Sequence, residues 1–272
     1  MTRAELVSQI KQKRSFLCVG LDTDPAKIPA HLLETEDPIF EFNKAIVEAT
    51  LPYCVAYKPN FAFFEAMGER GMKALRKTME LIPSTHFTIA DAKRGDIGNT
   101  SERYAAAYFS DFNFDSVTVA PYMGSDSVKP FMKSDGKWTI LLALTSNPGA
   151  DDFEQLPLAN GKKLYEQVVD TAKTWGTPEQ LMFVVGATRV EALKALRERA
   201  PEYFFLIPGV GAQGGDLKSV ALAAMNKDCG MLVNASRSIL YASSGEDFAS
   251  KAAAEARLMQ EEMSVLLTQH GL

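Results

Sequence analysis

An α/β chain closed as a (β/α)8 barrel of the TIM type is what three features of these 272 residues predict. Short apolar runs rich in β-branched and aromatic residues alternate with longer stretches of helical period, the pattern of βα units around a parallel sheet. Eight such pairs can be counted, whereas an open doubly wound sheet usually has about five to seven strands. The first run leads into Asp22-Thr23-Asp24-Pro25, with no GxGxxG fingerprint of the kind an open sheet carries there. Barrels of this type reach about 250 residues as one unit, so the expectation is a single domain over residues 1–272.

The elements follow in order. Thr2-Arg3-Ala4-Glu5 has the pattern of a capping box ahead of a charged amphipathic stretch, which predicts an extra N-terminal helix. Strands are expected at 16–21, 54–57, 87–90, 116–120, 138–144, 181–185, 204–207 and 231–233, where the apolar runs are too short for helices. Helices are expected at 39–49, 64–81, 100–109, 125–131, 164–175, 189–199, 216–225 and 248–268. Residues 145–163 show no period, and a loop that long usually has a job.

Composition removes several classes of function. With 29 basic and 34 acidic residues the net charge is −5, and no basic block offers the surface that tracks nucleic-acid phosphates. Cys18, Cys54 and Cys229 lie inside apolar runs without CxxC spacing, so they read as core thiols of a reducing compartment rather than a disulfide framework or a zinc site. The N-terminus lacks the apolar core of a signal peptide, and no segment reaches the roughly 18 apolar residues of a membrane span. A soluble cytoplasmic protein with no nucleic-acid or membrane partner is expected. His31, His86 and His270 fall in a loop, before a strand and in the tail, which disfavours a histidine base or a histidine-ligated metal.

Chemistry concentrates where the third strand breaks off into Asp91-Ala92-Lys93-Arg94-Gly95-Asp96. Alternation along a strand puts Asp91 and Lys93 on one side, and Gly95 lets the chain bend to present Asp96 nearby. Two carboxylates flanking an ammonium suit proton handling. In a (β/α)8 barrel the carboxyl ends of the strands share one mouth, and that mouth carries catalysis. Asp22, Lys58 and Asn60, Thr145-Ser146-Asn147, the stretch from Pro208 to Gly215, and Asn234-Ala235-Ser236-Arg237 all occupy such ends. The glycine-rich stretch, the helix opening near Asp216 and the Arg237 fork together read as a phosphate site. Taken alone, Lys58 reads as a solvated strand-end lysine and Ser146-Asn147-Pro148-Gly149 as a plain turn. Phe61, Phe63 and Phe64 read as core.

Six motifs in this order resemble the orotidine 5′-phosphate decarboxylase family in its longer bacterial form. They are Gly20-Leu21-Asp22, Tyr57-Lys58-Pro59-Asn60, Asp91-Ala92-Lys93-Arg94-Gly95-Asp96-Ile97, Thr145 to Ala150, Pro208 to Gly215, and Ser236-Arg237-Ser238-Ile239. The resemblance implies conversion of orotidine 5′-phosphate to UMP without metal or cofactor. It implies a charged catalytic array of Lys58, Asp91, Lys93 and Asp96. Asp22 would bind a ribose hydroxyl, Ser146 the pyrimidine amide edge, and Gln213, Ser236 and Arg237 the phosphate, with Asn60, Ile97 and Pro208 also at the substrate. Asp96 and Thr100 would reach a neighbouring subunit's site, which implies a homodimer with shared sites. Shorter members carry glycine where this chain has Ser236. Two alternatives stand beside this reading. A related barrel group uses Mg²⁺ on sugar phosphates with the same Asp-x-Lys-x-x-Asp, but has a carboxylate where Lys58 stands. A non-catalytic barrel that binds nucleotide phosphates would not need the central lysine.

Overall fold

A computed structural model describes residues 1–210 and 215–272. Among these residues the strands are β1 (Leu17–Leu21), β2 (Ala56–Pro59), β3 (Phe87–Arg94), β4 (Ser116–Val119), β5 (Trp138–Leu144), β6 (Leu181–Val185), β7 (Phe204–Pro208) and β8 (Met231–Ala235). They follow one another in sheet order and close into a barrel. Pairing is parallel, with Gly20 opposite Lys58, Ala56 opposite Phe87 and Thr139 opposite Leu181. Every residue of β1 and β6 is buried. Strands covered on both faces read as unbroken apolar runs, which is why they stand out in the sequence without alternation.

The helices are α1 (Arg3–Lys13), α2 (Pro38–Thr50), α3 (Phe61–Glu65), α4 (Gly68–Leu81), α5 (Gly98–Ala106), α6 (Ser125–Val128), α7 (Leu164–Ala172), α8 (Val190–Arg199), α9 (Leu217–Ala224), α10 (Arg237–Leu240) and α11 (Phe248–Gln269). Helix α1 is the extra one ahead of the barrel. Helix α2 starts where it does because Asp37 accepts a hydrogen bond from Phe40 N at 3.3 Å and Pro38 fills the first position. The helix expected over 64–81 is instead two, α3 and α4, separated at Ala66 and Met67, with Gly68 opening α4 at φ +59. The last turn expected of the helix at 100–109 is a π-helical turn, Ala107–Asp111. Helix α10 has no counterpart among the expected elements.

The described residues gather into two compact units, one of Ala4–Ala92 with Asn234–Leu272, the other of Met1–Arg3 with Lys93–Val233. The first unit buries Phe16, Phe42, Tyr57, Phe61, Phe64 and Phe87 completely or nearly so. A polar chain crosses its interior: Thr23 Oγ1 donates to Asn43 Oδ1 at 2.5 Å, and the Asn43 amide donates to Thr78 Oγ1 at 3.2 Å. The second unit buries Phe114, Phe131, Trp138, Phe183, Phe204 and Phe205. There Arg197 donates to the carbonyls of Ala224 at 2.6 Å, Tyr203 at 2.6 Å and Gly230 at 2.7 Å, with its guanidinium 3.9 Å over the Phe205 ring. All three cysteines are buried and free, matching their reading as core thiols. Burial pushes the Cys54 thiol up to about 11 and that of Cys229 up to about 12, so both stay protonated. Among the described residues no helix is long and apolar enough to cross a membrane.

Candidate active site

In the first unit, the ends of β2 and β3 put Lys58 Nζ 2.7 Å from Asp91 Oδ2, with both residues buried, 5% and 7% exposed. Burial works against the lysine's charge, but the Asp91 carboxylate and then Asp22 outweigh it and raise the pKa above the ordinary lysine value. The strand-end lysine is therefore not solvated. Asn60 bridges to Asp91 along the sheet, and its Oδ1 caps α3 by accepting from Ala62 N at 3.3 Å. Tyr241 fixes the turn after β1: its hydroxyl donates to Asp22 O at 2.8 Å and accepts from Asp24 N at 2.8 Å. Asp22 Oδ1 is buried with no hydrogen-bond partner among the described residues.

Ser236 stands at the start of α10, whose first residue, Arg237, is exposed. A Cβ added at Gly20 would fall 1.9 Å from Ser236 Oγ. The serine side chain thus fills the space that any side chain at position 20 would need, and glycine in β1 is what admits a serine after β8.

In the second unit, Lys93 is exposed and adopts φ +47, with its backbone N–H donated to Thr118 Oγ1 at 2.9 Å. Strand β3 runs on to Arg94, past the expected end at 90, yet the plain alternation expected to align Lys93 with Asp91 stops at this left-handed residue. Asp96 Oδ1 accepts from Ile97 N at 2.8 Å. Ile97 is 55% exposed and Thr100 is exposed in the first turn of α5.

Ser146 follows β5. Its neighbour Thr145 is clamped by Glu154, which accepts from Thr145 N at 2.7 Å and from Thr145 Oγ1 at 3.0 Å. The stretch expected to lack structure, 145–163, contains the turn Pro148–Asp151, an Asp151–Arg189 ion pair at 3.1 Å and a bridge between Pro157 and Lys163. Pro208 closes β7, its carbonyl accepting from Ala187 N at 3.0 Å. The glycine-rich loop is pinned at its neck, where Gly215 N donates to Gly209 O at 3.2 Å. Gln213 lies outside the described residues. At the start of α9, Asp216 accepts from Ser219 N at 2.8 Å and from Ser219 Oγ at 2.6 Å, capping the helix with its own carboxylate.

Thr118, Glu154 and Tyr241 position these residues and went unread in the sequence, since each acts through a hydroxyl or carboxylate placed by the fold. The glycine at position 20 carried a signal, being paired in the same chain with an unusual serine at 236.

The family model for orotidine 5′-phosphate decarboxylase / HUMPS matches residues 15–252. The orotidine 5′-phosphate decarboxylase of Flavobacterium johnsoniae is 58% identical over 270 residues, covering 98% of each chain. That of Porphyromonas gingivalis is 55% identical over 275 residues, covering 100% of each. The solved structure of Leishmania donovani OMP decarboxylase is similar with a TM-score of 0.85 at 36% identity, covering 98% of each chain. With a match over most of its length and relatives of this identity, the chain belongs to the orotidine 5′-phosphate decarboxylase / HUMPS family.

Proposed function

We propose that this chain is a carboxy-lyase that converts orotidine 5′-phosphate to UMP and CO2, the last step of de novo pyrimidine nucleotide synthesis, without a metal or cofactor. One observation carries the choice within the family: the buried Lys58–Asp91 ion pair at 2.7 Å. A divalent cation at Asp91 would have to displace that ammonium, so the Mg²⁺-dependent sugar-phosphate alternative is disfavoured. Relatives at 58% and 55% identity carry the decarboxylase name.

Breaking the bond from C6 to the carboxylate leaves an electron pair in the plane of the pyrimidine ring, where the π-system cannot absorb it. Positive charge beside C6 is the remaining means of stabilisation. Lys93 supplies that charge in this reading. Its ammonium stabilises the carbanion, then gives C6 a proton as general acid, and water reprotonates the amine. The left-handed backbone of Lys93, held by Thr118, supports this role, since such strain costs about 1–2 kcal/mol and tends to persist at functional sites. Lys58 and Asp91 supply fixed charge; Asp22 and Asn60 take the ribose side, Ser146 the pyrimidine amide edge, and Pro208, Gln213, Ser236 and Arg237 the phosphate side. The phosphate is remote from the reacting bond, so its binding energy serves to close the site and to exclude water. A cytoplasmic homodimer completes the proposal, with Asp96, Ile97 and Thr100 serving the neighbouring subunit's site.

Lys93→Ala is expected to lower turnover by at least about 10⁴-fold while UMP affinity stays within a few-fold. Mixing Lys93→Ala with Asp96→Ala protein should then restore part of the activity through sites built from two chains. A Lys93→Ala enzyme that retains most of its activity removes the general-acid assignment, and subunit exchange without recovery removes the shared site.

A further inference from the structure

Strand β8 carries, one residue before its end, a polar side chain that the mechanism leaves unused. Asn234 is 8% exposed. Its Nδ2 donates to Ser236 Oγ at 3.2 Å, while its Oδ1 is buried with no hydrogen-bond partner among the described residues. Gly20 fixes where that oxygen stands, because a Cβ built on Gly20 would lie 3.1 Å from Asn234 Oδ1. Gly20 is the register partner of Lys58 in the parallel β1–β2 pair. Residues paired in this way face the same side of a sheet, so Asn234 Oδ1 stands on the face from which Lys58 reaches Asp91. Asp22 is close enough to raise the Lys58 pKa and carries a second buried acceptor, Oδ1, without a partner among the described residues.

Two unpartnered acceptor oxygens, one on the sheet face from which an ammonium projects and one on a carboxylate in electrostatic reach of that ammonium, select a particular kind of ligand group. A phosphate dianion has no proton to give and is repelled by the Asp22 and Asp91 carboxylates. An apolar group would leave both oxygens unsatisfied. A sugar hydroxyl fits, because it gives its proton to an amide or carboxylate oxygen and accepts one from an ammonium.

We infer that Asn234 is a ribose-binding residue, whose Oδ1 accepts a hydrogen bond from one hydroxyl of the nucleotide's sugar and so favours ribose over a deoxy sugar. The identity of the sugar rests on the decarboxylase reading. By donating to Ser236 Oγ, the same amide leaves the serine's proton for a further acceptor.

Calorimetric titration of the full chain with UMP, 2′-deoxy-UMP and 3′-deoxy-UMP tests this assignment. Asn234→Ala is expected to weaken UMP binding about tenfold, matching what the wild type loses when the contacted hydroxyl is removed. The analogue lacking that hydroxyl then binds wild type and variant alike, as a double-mutant cycle requires. Asn234→Leu, which keeps the side-chain volume, should repeat the pattern and protects the test against a fold weakened by the alanine cavity. Equal weakening of all three ligands, or no weakening of any, overturns the role. If UMP binds the wild type and the variants do not distinguish the hydroxyls, the Asn234 assignment alone falls; if the wild type fails to bind UMP, the decarboxylase reading falls with it.

Discussion

Lys58 and Lys13 serve the same two strands at opposite ends and meet opposite electrostatic fates. At the carboxyl ends of β2 and β3, Lys58 faces a carboxylate at 2.7 Å and its pKa is raised. Before the strands begin, Lys13 Nζ lies 3.2 Å from Cys54 O and 2.6 Å from His86 Nε2. The same Nε2 lies 3.0 Å from Leu51 O, and Nδ1 lies 3.2 Å from Thr85 Oγ1. Burial dominates there, and the Lys13 pKa falls to about 8. The His86 imidazole, buried and next to a cation, falls to about 4. One end keeps its charge, and the other discourages charge. That division matches the barrel rule that carboxyl ends carry catalysis and amino ends carry stability.

The largest expected break in this comparison comes from Asp91→Ala, which leaves a buried ammonium without its anion. Such a loss costs about 3–5 kcal/mol in unfolding free energy, measurable by urea denaturation. Replacing both partners, Lys58→Met with Asp91→Leu, should recover most of that stability, since an apolar pair has no charge to desolvate, while activity stays absent. An Asp91→Ala protein destabilised by less than about 1 kcal/mol would show that water already reaches Lys58.

The charged residues at the carboxyl ends were readable from residue type, whereas conformation was not. Lys58, Asp91 and Asp22 stand at the ends of apolar runs, and the structure keeps them there in mutual electrostatic reach. The strands were legible since they are covered on both faces. By contrast, the φ of +47 at Lys93 depends on a threonine 25 residues away, and no local pattern encodes it. Helix α10 spans four residues, too few to show a period. The break between α3 and α4 was masked by a helical period that continues on both sides of Gly68. At α9, Asp216 followed three residues later by Ser219 is a capping signal that the sequence carries, and the structure uses it. The Lys13–His86 pair was invisible because His86 reads only as a residue before a strand.

Acid sharpens the comparison at the amino end. A histidine whose folded pKa is about 4 against an ordinary 6.5 contributes stability that is present above pH 6.5 and lost as pH falls through 4. His86→Gln should remove that part of the pH dependence, of order 2 kcal/mol across the window, when unfolding is followed at pH 7 and pH 4. Parallel curves for the two proteins would mean that His86 titrates normally.

The smallest effect separates the two lysines most directly. Because the folded pKa of Lys13 is depressed to about 8, its charge opposes folding below that pH, and the penalty fades as pH rises from 8 to 10.5, where the unfolded chain also gives up its proton. Lys13→Met should therefore be more favourable relative to wild type at pH 7 than at pH 10.5, by about 1 kcal/mol once screening of its half-exposed amine is allowed for. Catalytic turnover should be unaffected. Lys58 has the opposite sign: its raised pKa gives stability that is fully present below 10.5 and is lost only as pH climbs through the folded value. A stability difference between Lys13→Met and wild type that stays flat from pH 8 to 10.5 would place both lysines in the same class, and the contrast between the strand ends would then rest on His86 alone.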